Sequence, residues 1–279
     1  MHKFVWRALL TIAWLMVPQP ADAQFGAGAD VVVRSRYVWR GITRTTKPVV
    51  QPSALVAWLP RGWTITTGVW ASVEPIRPGA ADLTGAGTDG GTGEVDYWIE
   101  AHTRVRRFDV RAGHIRYDLR HEQTVVGPGS GIETGEVYTG VLFLPGRLTG
   151  FGATLYWDYD VVDGVFATVD GFQHVPLVQA GNWIITLTPR IEAGVSMGQA
   201  IDPETGAPGY FVDNGLAYVS GTTAIFANEQ RWSLHVSTSL QYNHDEATRV
   251  NRLDGNKRKT KAWIDAGVSY AIGSRPRTR

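Results

Sequence analysis

Between Arg231 and Asn243 two kinds of side chain alternate without exception. Trp232, Leu234, Val236, Thr238, Leu240 and Tyr242 fall on one side, and Ser233, His235, Ser237, Ser239, Gln241 and Asn243 on the other. A period of two is a strand signal, because successive side chains of a pleated backbone point to opposite faces. The apolar face begins and ends with an aromatic ring. From Trp232 to Tyr242 a strand runs about 33 Å, and a tilt of roughly 40° reduces the height to about 25 Å. That is the outer apolar band of a membrane barrel. A sandwich strand in a soluble protein also alternates, but it is usually shorter and needs no ring at each end.

The start of the chain agrees with export. Lys3 and Arg7 precede an apolar run from Ala8 to Val17 and a small-residue site at Ala21-Asp22-Ala23. This pattern predicts a cleaved signal peptide over residues 1–23 and a mature domain over 24–279, beginning at Gln24. The run is too short to span a bilayer, and no later stretch is apolar enough for a spanning helix. Cysteine is absent, so an exported fold must hold itself by burial and backbone pairing alone. Closing a sheet on itself would supply that pairing. Basic and acidic residues number 27 and 26, a balance that gives no reason to expect nucleic acid as a partner.

Twelve segments of strand character follow Gln24. They run roughly Asp30 to Ile42, Val49 to Leu59, Trp63 to Val73, Val95 to Val105, Val110 to Asp118, Glu136 to Leu144, Phe151 to Tyr159, Val165 to Phe172, Trp183 to Ser196, Asn214 to Phe226, Trp232 to Asn243 and Ala262 to Ile272. The second, fifth, sixth and eighth alternate poorly, which leaves ten or fourteen strands open. Trp70 breaks the pattern of the third, and Pro189 suggests a bulge or break in the ninth. Connections alternate in length: Pro60-Arg61-Gly62 is short, for example, whereas Glu74 to Glu94 is long and glycine-rich. His174 to Asn182 is the longest of the short class. Short periplasmic turns and longer external loops are the rhythm of outer-membrane barrels, and an even strand count puts both termini in the periplasm. The fold expected is all-β, a transmembrane antiparallel up-and-down barrel of about twelve strands.

The segment Ser35-Arg36-Tyr37-Val38-Trp39-Arg40-Gly41-Ile42-Thr43 resembles the opening strand motif of the TorF-type porins of proteobacterial outer membranes. The similarity continues through Lys47-Pro48, Gln51-Pro52-Ser53, Thr67-Gly68-Val69-Trp70-Ala71-Ser72 and Glu94-Val95-Asp96-Tyr97. It covers about the first quarter of the mature chain. The resemblance implies a small outer-membrane barrel with a channel function, and it brings no catalytic residues. The chain departs from many such barrels at its end, where Tyr270 is followed by Ala271-Ile272-Gly273 and the basic tail Ser274 to Arg279 rather than by a terminal aromatic residue.

Polar side chains are expected to face the lumen, since lipid would penalise them. The pore-lining candidates are Arg34, Arg36 and Arg40 on the first strand, Asp96, Glu100, His102 and Arg104 on the fourth, Arg190 and Glu192 on the ninth, His235 on the eleventh and Asp265 on the twelfth. Opposed charges in a narrow lumen select ions through their field; the same charges, paired, would plug a barrel of this size. The excess of arginine in the first strand favours anions near that wall. An enzyme reading rests on Ser233, His235 and Ser237, which share a face; one strand spaces them too widely for a nucleophile and its base, and that face points inward. His102 and His235 are a poor metal set, and no motif asks for a cofactor. The function expected is a non-enzymatic outer-membrane channel for passive diffusion of small hydrophilic solutes. The alternative is a closed barrel acting structurally, adhesively or in ligand binding through its external loops. Expected partners are outer-membrane lipid and lipopolysaccharide, the solutes and the outer-membrane assembly machinery of a Gram-negative bacterium.

Overall fold

The structure, a computed structural model, describes residues 25–60, 62–74, 91–119, 132–201, 209–249 and 257–273. The segment 1–23 expected to be a signal peptide, most of the Glu74 to Glu94 loop and the tail beyond Gly273 lie outside these. Fifteen strands are present among the described residues: β1 (Phe25–Arg34), β2 (Tyr37–Trp39), β3 (Ile42–Thr45), β4 (Val49–Trp58), β5 (Trp63–Glu74), β6 (Gly91–Val105), β7 (Phe108–Leu119), β8 (Ile132–Phe143), β9 (Thr149–Asp158), β10 (Gly164–Gln173), β11 (Val175–Ala180), β12 (Trp183–Met197), β13 (Gly215–Glu229), β14 (Trp232–Asn243) and β15 (Thr260–Gly273). A short helix, α1 (Glu246–Arg249), lies between the last two. Each wall strand pairs antiparallel with its neighbours, and β1 joins β15 to β4, with Val31 opposite both Val268 and Pro52. At the other seam β12 pairs with β10 along one half and with β11 along the other. With β10 and β11 sharing one position, the sheet is a closed antiparallel barrel of twelve strands. Closure pairs every wall strand but β11 on both sides, the condition for crossing a membrane without a helix, while β11 pairs only with β12. No described helix is long and apolar enough to cross one.

The alternation of β14 appears directly in its packing. Val236 and Leu240 face outward at 56% and 60% exposure, while Ser237, Ser239, Gln241 and Asn243 are buried inside. Trp58, Trp63, Phe108 and Trp232 ring the end that carries the short turns, with Trp232 4.6 Å from Tyr270 and Phe108 5.1 Å from Phe143. Tyr97, Trp157, Tyr159 and Tyr242 are outward nearer the other end. Two aromatic girdles flanking an apolar band are the outer surface of outer-membrane barrels.

Three features depart from the expected strands. The first strand does not run to Ile42. It ends at Arg34, and residues 37–45 form a separate hairpin, β2 with β3. Arg40 and Gly41 form its two-residue turn with φ of 47° and 81°. Positive φ at both central residues matches the twist of the flanking strands, which is why X-Gly turns make hairpins. The turn expected over His174 to Asn182 is mostly strand, and the chain reverses at Gly181 and Asn182 instead. Pro189 does not break β12. By register it sits opposite Gln173, so the proline's missing donor coincides with the gap between β10 and β11 in the neighbouring wall.

Candidate functional site

The hairpin turns into the barrel and fills the half toward the longer loops. Thr43 and Ile42 are each 1% exposed, and Trp39 meets the ring of Tyr117 at 6.2 Å and that of Tyr210 at 5.1 Å. Trp70, the exception in its strand's pattern, faces inward because Tyr37 of the hairpin packs on it at 5.6 Å. Gln241 Nε2 donates to the Gly41 carbonyl at 2.9 Å, so β14 holds the turn from below. The loop between β12 and β13 adds Phe211, stacked on Phe166 at 5.3 Å. Ile42, Phe166, Phe211, Ala217 and Tyr218 form an apolar cluster inside the barrel rather than between layers.

Arg40 is the centre of this plug. Its guanidinium makes two bonds to Glu136 of β8, Nη1 to Oε1 at 2.6 Å and Nη2 to Oε2 at 2.5 Å. Both side chains are buried, at 8% and 1% exposure. Tyr117 donates a third bond to Glu136 at 2.9 Å. The rings of Trp39, Tyr156 and Phe166 surround the cation at 4.6, 4.6 and 4.8 Å. Burial opposes the charge on Arg40, yet Glu136 outweighs it and the guanidinium pKa lies above its ordinary value. Arg44 of the same hairpin approaches Glu94 at 3.9 Å. Asp158 gathers the backbone N–H groups of Asp160, Val161 and Val162 and the hydroxyls of Thr134 and Tyr210, which ties the short turn after β9 to the loop before β13.

Gly41 sits under two neighbours. A Cβ there would lie 2.6 Å from Tyr218 Cδ1 and 3.1 Å from Thr248 Cγ2, at a φ that L residues rarely adopt. Gly41→Ala should therefore cost about 1–3 kcal/mol and loosen the hairpin. The check is thiol labelling of a cysteine placed at buried Thr43, which should become faster in the Gly41→Ala background.

Below the turn lies a cavity of about 530 Å³. Of the expected pore-lining residues it collects Arg34, Arg40, Arg190, Glu192, His235 and Asp265. Arg34 pairs with Asp265 at 3.5 Å, and Arg190 reaches Asp170 at 3.4 Å and Glu192 at 2.8 Å. Of the arginines expected on the first strand, Arg34 and Arg40 are thereby paired with carboxylates. Arg36 and Arg40 are not on a wall strand: Arg36 lies in the bend after β1, and Arg40 is the hairpin turn. Asp96, Glu100, His102 and Arg104 are on β6, away from this cavity. Glu100 accepts from Tyr138 at 2.8 Å and lies 3.9 Å from His102, Asp96 is held at the plug's level, and Arg104 is near the short-turn end. Ser237 donates to Asp265 at 3.1 Å, so the serines and histidine of β14 do not assemble as a nucleophile and its base. Among the described residues no cluster could hold a metal ion.

Glu136, Tyr117, Tyr156 and Tyr218 were not among the expected residues. Glu136 and Tyr138 alternate with Val137 and Val141. That pattern is the signal for an inward face on β8, and glycines within it hide it.

No protein-family model matches the chain, and no curated protein matches it. Solved structures do. The COG4313 outer membrane channel from Pseudomonas putida F1 is similar with a TM-score of 0.50 at 9% identity, covering 92% of this chain and 100% of that one. LpxR from Salmonella typhimurium scores 0.49 at 9% identity, over 88% and 99%. The NanC porin scores 0.45 at 10% identity, over 87% and 98%. The fold is therefore that of outer-membrane β-barrels, with porins and channels among the structural neighbours.

Proposed function

We propose that the chain is an exported outer-membrane channel for small hydrophilic solutes, of the TorF porin type, whose outer mouth is closed at rest by the hairpin of β2 and β3. The observation that carries this reading is the 530 Å³ cavity under the hairpin, lined in part by charged and hydroxyl-bearing side chains, inside a wall whose outer surface is apolar. A barrel built only as a rigid post would fill that space with side chains, as small barrels do. The signal peptide over residues 1–23 and periplasmic termini belong to the same proposal. The plug itself favours a second reading, a closed barrel that acts through its external segments. Single-channel recording of the refolded mature protein in a planar bilayer separates the two. The channel reading expects brief, discrete openings from a mostly closed state. Silence from protein that migrates as a folded barrel on unheated gels would transfer the function to the loops.

A further inference from the structure

We propose that the cavity beneath the hairpin is a binding site for an uncharged sugar of one or two rings; this rests on the channel reading and names its solute. Three features of the lining converge on that class. The wall made by β12, β13 and β14 presents hydroxyls: Thr188, Thr222, Ser237 and Ser239. Thr222 and Ser239 bond each other at 2.8 Å, and Thr188 bonds His174 at 2.9 Å. Each hydroxyl has one donor and two acceptor sites, so these bonds leave capacity for a ligand rich in the same group. Trp263 and Phe226 add aromatic surface on which the C–H face of a sugar ring can lie.

The second feature is a donor and an acceptor side by side. Arg34 Nε and Asp265 Oδ1 face each other at 3.5 Å, and both residues line the cavity. An alcohol in the cavity accepts from the Arg34 guanidinium, whose side chain is 32% exposed, and donates to the Asp265 carboxylate, which an anion cannot do. Charge is the third feature. Arg34 is matched by Asp265, Arg190 by Asp170 and Glu192, and Arg40 by Glu136, so none of the arginines lining the cavity is left over to hold an acidic sugar. The volume falls within the range of about 300–1,000 Å³ typical of small-molecule sites.

Saturation-transfer NMR on the refolded barrel in micelles tests this with sucrose and galacturonate as probes. Transfer to sucrose is expected, competed by millimolar unlabelled glucose, and weaker for galacturonate. Asp265→Asn should weaken it at least tenfold; Trp263→Leu should do the same and carries the test if the first variant does not fold. Absence of transfer, transfer that both variants leave unchanged, or preference for galacturonate would overturn the assignment. Conductance of the same preparation keeps the two readings apart. Openings without sucrose transfer would sink the sugar site alone, and transfer by an electrically silent barrel would sink the channel alone.

Discussion

Glu136→Ala should open the barrel. The substitution leaves the Arg40 guanidinium buried at 8% exposure with neither of its two carboxylate bonds, a change that costs about 3–5 kcal/mol when one partner of a buried pair is removed. The hairpin can escape that cost by swinging out of the lumen, because its ties to the wall are mostly side-chain contacts. The expected result is a several-fold increase in mean conductance, with fast labelling of a cysteine introduced at Thr43, a position 1% exposed in the docked state. The chain has no cysteine of its own, so that label reports one site. Restoring shape without charge should close the mouth again: Arg40→Leu combined with Glu136→Leu removes the unpaired cation and keeps an apolar contact among Trp39, Tyr156 and Phe166. If Glu136→Ala conducts and labels like the parent, the pair is not what holds the plug.

The second large effect is on the outside of the wall. Val236 lies midway along β14 between Ile225 and Ala266 on the adjoining strands and faces outward. Val236→Arg should lower folding stability in lipid by about 2–4 kcal/mol, whereas Trp232→Arg at the girdle should cost about 0–1 kcal/mol. Urea unfolding of the two variants in vesicles measures the difference. Equal losses would mean that depth does not distinguish these positions, and the girdle assignment would fail.

Much of the wall was legible because its signal is local. Alternation at Trp232 to Asn243 or Val95 to Val105 depends only on which side of a strand meets lipid, and each residue carries that information itself. The hairpin was harder to see. Arg34, Arg36, Val38 and Arg40 continue the spacing of a strand, so the periodicity passes through the bend at residues 35 and 36 unchanged. The turn at Arg40-Gly41 was its one local mark. What filled the lumen was not legible at all, because Arg40 and Glu136 are 96 residues apart and their pairing depends on how the barrel closes. Charge in the sequence identified inward residues, but it could not say that Arg34 meets Asp265 or that Arg40 leaves the wall. Pro189 gave a true signal read on the wrong strand: the irregularity it imposes is expressed across the ladder, at the junction of β10 and β11.

The hairpin leaves the wall at Arg34 and rejoins it at Val49, and those two residues are themselves paired across β1 and β4. Both legs of the plug are therefore anchored at one point on the rim, by the bend at residues 35 and 36 and by residues 46–48. On the channel reading, such a plug is a door on a hinge. It cannot diffuse away, and its return is an intramolecular event governed by an effective concentration rather than by how much protein is present. The open and closed lifetimes of a single barrel should then be the same at any density of barrels in the membrane.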